Sequence, residues 1–400
     1  KNTEAMAFLL RLVGRMAESE ERYREALALH ETAGDARERA ITRSHFAILL
    51  QDTGRMDEAL AHYEEALAEH KRLGGRRFEA TILGNIATLH HEQGRVREAR
   101  ELYKKAIALS RELGERRFEA SQTSNLGMTS HELGDLAEAI ALNERSLAIY
   151  REMGDLFGEG ATLGNIAMLH QELGHAEDAR RLYDAALANH RETGNRRFEA
   201  IVLTNLAILD KIEKRLDVSE ETCRRSLLLH REVKSPRFEA YALSTLASIL
   251  MDRGRLEEAE EACRASLQIL EPIEDGRLQA SALMTLAGIE RRAARYGDAQ
   301  KHARAANQLL ESIGEYLDRG AALCELGHVA LANGRPAVAE LREIETLFSL
   351  APPPGGGPMA AAIDALRAAN RDFESGVALV HGERAADAPP AMGRTEGSTA

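Results

Sequence analysis

The chain has no tryptophan, three cysteines and only 4% aromatic residues among its 400. So few rings leave it without the stacking platforms on which proteins hold single-stranded nucleic acid. Basic residues are also in deficit: 52 Lys and Arg face 64 Asp and Glu, a net charge of −12. Phosphate neutralisation needs the opposite excess, so no nucleic-acid partner is expected. Cys223, Cys263 and Cys324 are too few for a disulfide framework and suit a reducing, cytoplasmic setting. No apolar run approaches the ~18–20 residues that cross a bilayer, so no membrane partner is expected either. "AFLLRLVG" near the start is too short, and no small-residue cleavage site follows it.

What the chain does have is 44% hydrophobic and 29% charged residues, with Ala, Leu, Glu and Arg abundant, a mix that favours helix almost everywhere. It is also periodic. Gly14, Gly54, Gly94, Gly134 and Gly174 are forty apart; Lys214 breaks the series, Gly254 resumes it, Ala294 breaks it and Gly334 closes it. Five residues after each stands a small side chain: Ser19, Ala59, Ala99, Ala139, Ala179, Ser219, Ala259, Ala299 and Ala339. A fixed period of this length marks a stacked-repeat architecture. The units run at about 1–34, 37–74, 77–114, 117–154, 157–194, 197–234, 237–274, 277–314 and 317–350.

Within one unit the apolar spacing is helical. Ile82, Leu83, Ile86, Ala87 and Leu89 form one stripe; Val96, Ala99, Tyr103, Ala106, Ile107 and Leu113 form a second. Gly94 falls between them and Gly114 after them, where left-handed residues end helices. Each unit is therefore two antiparallel helices, the second about 18 residues or roughly 27 Å long. Apolar on both faces, no hairpin buries itself alone, and stacking into an all-α solenoid satisfies both. After residue 350 the pattern stops at "APPPGGGP", a linker over 351–358. An amphipathic helix is expected over 359–381, with Met359, Ile363, Leu366 and Phe373 on one face, capping the last unit or folding into the groove. Residues 382–400 read as a disordered tail.

The order Leu83, Ile86, Ala87, Gly94, Ala99, Tyr103, Ala106 resembles the tetratricopeptide repeat. The family's proline after the second helix is missing, and the helix runs on about a turn and a half to Gly114. This lengthened form, with "GERRFEASQTSNLG" between units, is similar to kinesin light chains and spindle-orientation adaptors. It also resembles the sensor arrays of MalT-type regulators and some bacterial Ser/Thr kinases. The resemblance implies a right-handed superhelix with its first helices on a concave wall that holds a peptide or protein segment. Because residue 1 already lies inside a unit, and "AMAFLLRLVG" is no polar cap, a kinase or ATPase domain or more repeats are expected upstream.

Chemistry-bearing residues are sparse. His90, His91 and Glu92 sit on one helix, where neighbours point about 100° apart and cannot chelate one ion well. His131 and Gln171 occupy the place of His91 in later units, but stacked helices lie roughly 8–10 Å apart, too wide for zinc. Cys223 and Cys263 fill the slot of Tyr23, Tyr63, Tyr103 and Tyr183, so they are core substitutes. "GGGP" has no following lysine and no strand before it, which argues against a phosphate loop. No nucleophile–base constellation stands outside the repeating frame. No cofactor, metal or enzymatic activity is expected.

Two ladders remain. Asn85, Asn125, Asn165 and Asn205 recur once per unit on the first helix. In kinesin light chains and spindle adaptors the matching asparagines hold a peptide backbone, a task a carboxamide performs whatever the sequence. Alternatively, they bond neighbouring helices. Glu92, Glu132 and Glu172 share the inner face with His91, His131 and Gln171. The spindle adaptors' arginine four residues before the asparagine is replaced by Thr81, Ser121, Ala161 and Ile201, which argues against an acidic ligand and for a neutral-to-basic one. The second ladder is "RRFE", Arg76–Glu79, Arg116–Glu119 and Arg196–Glu199, with "PRFE" at Pro236–Glu239. Its arginines are expected to pair with Glu112, Glu152, Glu192 and Glu232 near the preceding helix ends, and its phenylalanines to staple the loop. Two functions fit: a groove that binds a protein segment, as the regulatory array of a larger signalling protein, or a structural element assembling through its convex face or open ends.

Overall fold

The computed structural model describes residues 2–273, 275–314, 316–349 and 358–374. Among them are nineteen helices and no strand. The chain divides into two compact units, Lys1–Ser235 and Pro236–Ala400. The first holds six hairpins: α1 (Asn2–Leu12) with α2 (Met16–Thr32), α3 (Ala36–Asp52) with α4 (Met56–Arg72), α5 (Arg76–Glu92) with α6 (Val96–Glu112), α7 (Arg116–Glu132) with α8 (Leu136–Met153), α9 (Leu156–Glu172) with α10 (Ala176–Glu192), and α11 (Arg196–Ile212) with α12 (Leu216–Glu232). The second holds α13 (Pro236–Asp252) with α14 (Leu256–Leu270), α15 (Gly276–Arg292) with α16 (Tyr296–Ile313), α17 (Tyr316–Ala332) with α18 (Val338–Leu347), and a closing helix α19 (Pro358–Glu374). Of the linker expected over 351–358, Pro358 instead opens α19, while residues 351–357, the helix end expected over 375–381 and the tail over 382–400 lie outside the described residues.

The glycine period is a turn period. Gly94 takes φ +73°; its N–H donates to the His91 carbonyl at 3.0 Å, and the Arg95 N–H to the His90 carbonyl at 2.9 Å. These two bonds close the end of α5 and aim the chain back along α6. Where glycine is missing, the turn survives: Lys214 and Ala294 adopt φ +60° and +58°. A side chain in that region costs about 1 kcal/mol, which the packing of the hairpin overrides.

The small residues are the crossing points. Ala59, Ala99, Ala139 and Ala179 are wholly buried, and Tyr23, Tyr63, Tyr103 and Tyr183 fill the space beside them. Serine is accepted in the alanine place because its hydroxyl finds a carbonyl: Ser19 donates to Ala7 and Ser219 to Ala207, each at 2.7 Å. Cys223 and Cys263 are wholly buried in the tyrosine place, and burial pushes both thiols up to about 12. They are inert core residues.

In the first unit each first helix packs on the next first helix, from α1 on α3 through α9 on α11, while successive second helices make no comparable contact. That unit is therefore shorter along its first-helix side and curves toward it. In the second unit α19 packs on α17 and α18. Ile363 and Leu366 enter a cluster with Leu323, Leu326, Ile344 and Phe348, and buried Asn370 accepts from the Ala337 N–H at 2.7 Å. Its described part thus covers the last hairpin.

Candidate functional site

Each ladder asparagine stands on the first-helix row and is half-buried. Asn125, Asn165 and Asn205, from α7, α9 and α11, open on one cleft of about 310 Å³. An adjoining cleft of about 400 Å³ runs toward α5 and shares Ser121, Tyr150 and Phe157 with it. Asn165 also donates to Ser124 Oγ at 3.1 Å, one hairpin back, and Ser124 in turn donates to Asn143 Oδ1 at 2.8 Å. Asn125 bonds the Tyr103 hydroxyl. Asn85 and Asn205 have no hydrogen-bond partner among the described residues. Two rungs, Asn125 and Asn165, are thus bonded within the stack, and two, Asn85 and Asn205, are not.

The cleft owes its depth to α9, where "LFGEGATLGN" (156–165) replaces the "RRFEA…" start of α7 and α11. Gly158 stands where those helices carry Phe118 and Phe198, and a Cβ there would fall inside the Tyr150 ring. Gly160 lies under His190 in the same way, a Cβ meeting its ring at 2.8 Å. Phe157, in an arginine place, is 43% exposed and packs edge-on against Phe198 with ring centres 5.5 Å apart. These residues were not singled out from sequence; the signal was the loss of "RRF" at a unit lying between two that carry it. The charges along the cleft are neutralised, Arg77 by Glu115 at 3.0 Å and Arg117 by Asp155 at 2.9 Å.

The inner-face histidines and glutamates meet one another instead of facing the cleft. His91 Nε2 lies 2.9 Å from Glu132 Oε2 and His131 Nε2 lies 2.5 Å from Glu172 Oε2. Gln51 donates to Glu92 at 2.6 Å and Arg11 to Asp52 at 2.6 Å, with the same separation of 41 residues. Gln171 accepts from the Tyr183 hydroxyl at 3.4 Å. One residue of stagger thus links the ends of successive first helices from α1 to α9.

The "RRFE" arginines use the expected kind of glutamate from a different helix. Arg76 donates twice to Glu112, at 2.9 and 2.6 Å, and Arg116 to Glu152 at 2.5 Å. Each pair joins the start of a first helix to the end of the second helix of the same hairpin, because antiparallel packing brings those ends together. The preceding helix supplies an arginine, and the motif's own glutamate receives it. Glu119, 1% exposed, is held by Arg111, Arg116 and Arg145 at 2.9–3.0 Å. Burial pushes its carboxyl up, yet these guanidiniums hold it below the ordinary 4.5. Glu199 repeats the arrangement with Arg191 and Arg196. The motif phenylalanines do staple the loop: Phe78 stacks on His70 at 4.6 Å and Phe198 tilts on His190 at 5.3 Å.

A second group escaped the sequence reading. His170, at the end of α9, His175, in the turn, and Asp178, in the first turn of α10, bring one donor atom each within 4.8 Å of the others. Seven of the other eight hairpins carry arginine in the place of His175 (Arg15, Arg55, Arg95, Arg215, Arg255, Arg295 and Arg335). That departure was its signal.

A family model described as "Tetratricopeptide repeat" matches residues 2–68, 38–112, 78–152, 118–192 and 238–312. No curated protein matches the chain. Among solved structures, a Rap protein complexed with Competence and Sporulation Factor is similar at 14% identity, over 93% of this chain and 98% of that one, with a TM-score of 0.62. The apo quorum sensor NprR from B. thuringiensis is similar at 15% identity, over 87% and 98%, with a TM-score of 0.59. A Signal Transduction ATPase with Numerous Domains, carrying a tetratricopeptide repeat sensor, from Pyrococcus horikoshii is similar at 15% identity over 90% of this chain, with a TM-score of 0.53. This chain spans 55% of that protein. Likeness at these identities is likeness of fold. Among the described residues no helix is long and apolar enough to cross a membrane.

Proposed function

Because this chain belongs to the tetratricopeptide repeat family, we propose that it is a non-catalytic, cytoplasmic binding module whose first-helix face holds a segment of a partner protein. The observation that carries this is the shared cleft of Asn125, Asn165 and Asn205. Each carboxamide offers donors and an acceptor, so a row of them pairs with successive peptide units whatever the side chains. The ligand is a neutral segment with apolar side chains. Arg77 and Arg117 are already neutralised, His91 and His131 occupy Glu132 and Glu172, and exposed Phe157 offers a ring with Met168 and Ile201 nearby. The module serves as the sensor array of a larger signalling protein, regulating a kinase or ATPase, the arrangement in which the Pyrococcus ATPase carries its repeats.

A displayed random-peptide library panned on the protein tests this. Enriched peptides should be neutral and apolar, and Asn205→Ala should weaken them about tenfold at an unchanged melting temperature. Peptides that bind this variant as well as the parent sink the proposal. Self-assembly remains the second reading, supported by Met6, Phe8, Leu9, Leu12 and Val13, all exposed on or beside α1. A mass in light scattering that rises with concentration and falls back with Leu9→Glu would support it.

A further inference from the structure

We propose that His170, His175 and Asp178 form a binding site for a first-row divalent transition metal, zinc being the natural occupant, independently of whether the cleft binds peptide. The backbone makes the convergence. The His175 N–H donates to the His170 carbonyl at 2.9 Å across Gly174, which takes φ +77°, so residues five apart lie side by side. Asp178 follows three residues later, one helical turn beyond His175. The rings of the two histidines are 5.6 Å apart, centre to centre. Neither ring is committed elsewhere: His170 Nδ1 is buried without a hydrogen-bond partner, and His175, although it stands at the N-cap of α10, makes no capping bond. Asp178 Oδ1 accepts from Arg181 Nη2 at 2.8 Å. Arg181 is 77% exposed and free to turn away.

Other hairpins put an ion pair in this place. Arg55 bonds Glu58, Arg255 bonds Glu258, and Arg215 lies 2.8 Å from Asp210 across the identical turn. In α9–α10 both basic and acidic partners of that scheme are exchanged for imidazoles and one short carboxylate. Two imidazole nitrogens and one carboxylate oxygen are a donor set for zinc, which takes such ligands at about 2.0–2.2 Å; calcium and magnesium want oxygens only. The donor atoms, within 4.8 Å of one another, draw together on a shared ion. Three protein ligands leave a fourth position for water. The bound ion ties the end of α9 to the start of α10.

The test is a zinc chloride titration of the tag-free protein by calorimetry, with magnesium chloride as control. One zinc per chain is expected, and magnesium silent. His175→Arg installs the residue of seven other hairpins, and His170→Leu the residue of Leu10, Leu50 and Leu250, so at least one should fold, as judged by circular dichroism. Each should weaken zinc roughly tenfold or more, while His91→Ala leaves it unchanged. Absence of zinc binding at millimolar concentration overturns the site, as does a single-site isotherm that survives both variants.

Discussion

The hairpin α9–α10 and its neighbour α11–α12 share a backbone and differ in almost every exception to the repeat. The neighbour keeps "RRFE", a large ring at Phe198 under a small imidazole at His190, and a buried glutamate gripped by arginines. It lacks both turn glycines, having Lys214 at φ +60° and Lys234 at φ +50°, and carries Cys223 in the tyrosine place. Its predecessor keeps Gly174 but has Leu156, Phe157 and Gly158 in place of "RRF", which leaves the large ring of Tyr150, from α8, over no side chain. Glu159 is left with one arginine, Arg151, at 3.0 Å. Both the deepest part of the cleft and the histidine cluster fall on this one hairpin. A repeat keeps its fold by conserving volume and turn geometry, and it becomes particular where those two requirements are met by other residues.

Exchanging the ring between the two schemes should have the largest effect. Gly158→Phe alone puts a ring where Tyr150 sits and should cost about 3 kcal/mol. Adding Tyr150→Ser, the pair found at Ser110 and Phe118, should restore most of it; thermal unfolding of the single and double variants decides. Next, Glu199→Gln should cost about 2 kcal/mol, because it strips charge from a buried, arginine-bound group. Glu159→Gln should cost under about 1 kcal/mol. The carboxyls of Glu199 and Glu119 are held below their ordinary value, so the stability they supply is complete at neutral pH. It is lost only as pH falls through the depressed folded values. Acid unfolding of Glu199→Gln should accordingly be flatter below pH 4.5 than that of the parent. Smallest, Lys214→Gly should gain roughly 0.5–1 kcal/mol by relieving the left-handed backbone, whereas Gly174→Lys should lose a similar amount.

The hairpins, their turns and their core tyrosines were legible because each rests on local spacing: small side chains at crossings, glycine at turns. The row of asparagines was legible for the same reason. Its division into bracing and open rungs was not, since Ser124 and Asn143, which engage Asn165 directly and in turn, lie on other helices. The arginine partners were assigned across the nearest loop, whereas Arg76 and Glu112 meet 36 residues apart, a distance only antiparallel packing closes. The staggered histidine–glutamate links, at 41 residues, were hidden by a period of forty.

Tyr150 belongs to one repeat and the space it fills belongs to the next. The module that recombination or a protein engineer can move intact is therefore not the hairpin as the turns delimit it. It is a second helix together with the first helix that follows. A segment cut at Gly154 would arrive with a hole or a collision at its seam; one cut near Gly134 and Gly174 would carry α8 and α9, ring and vacancy together.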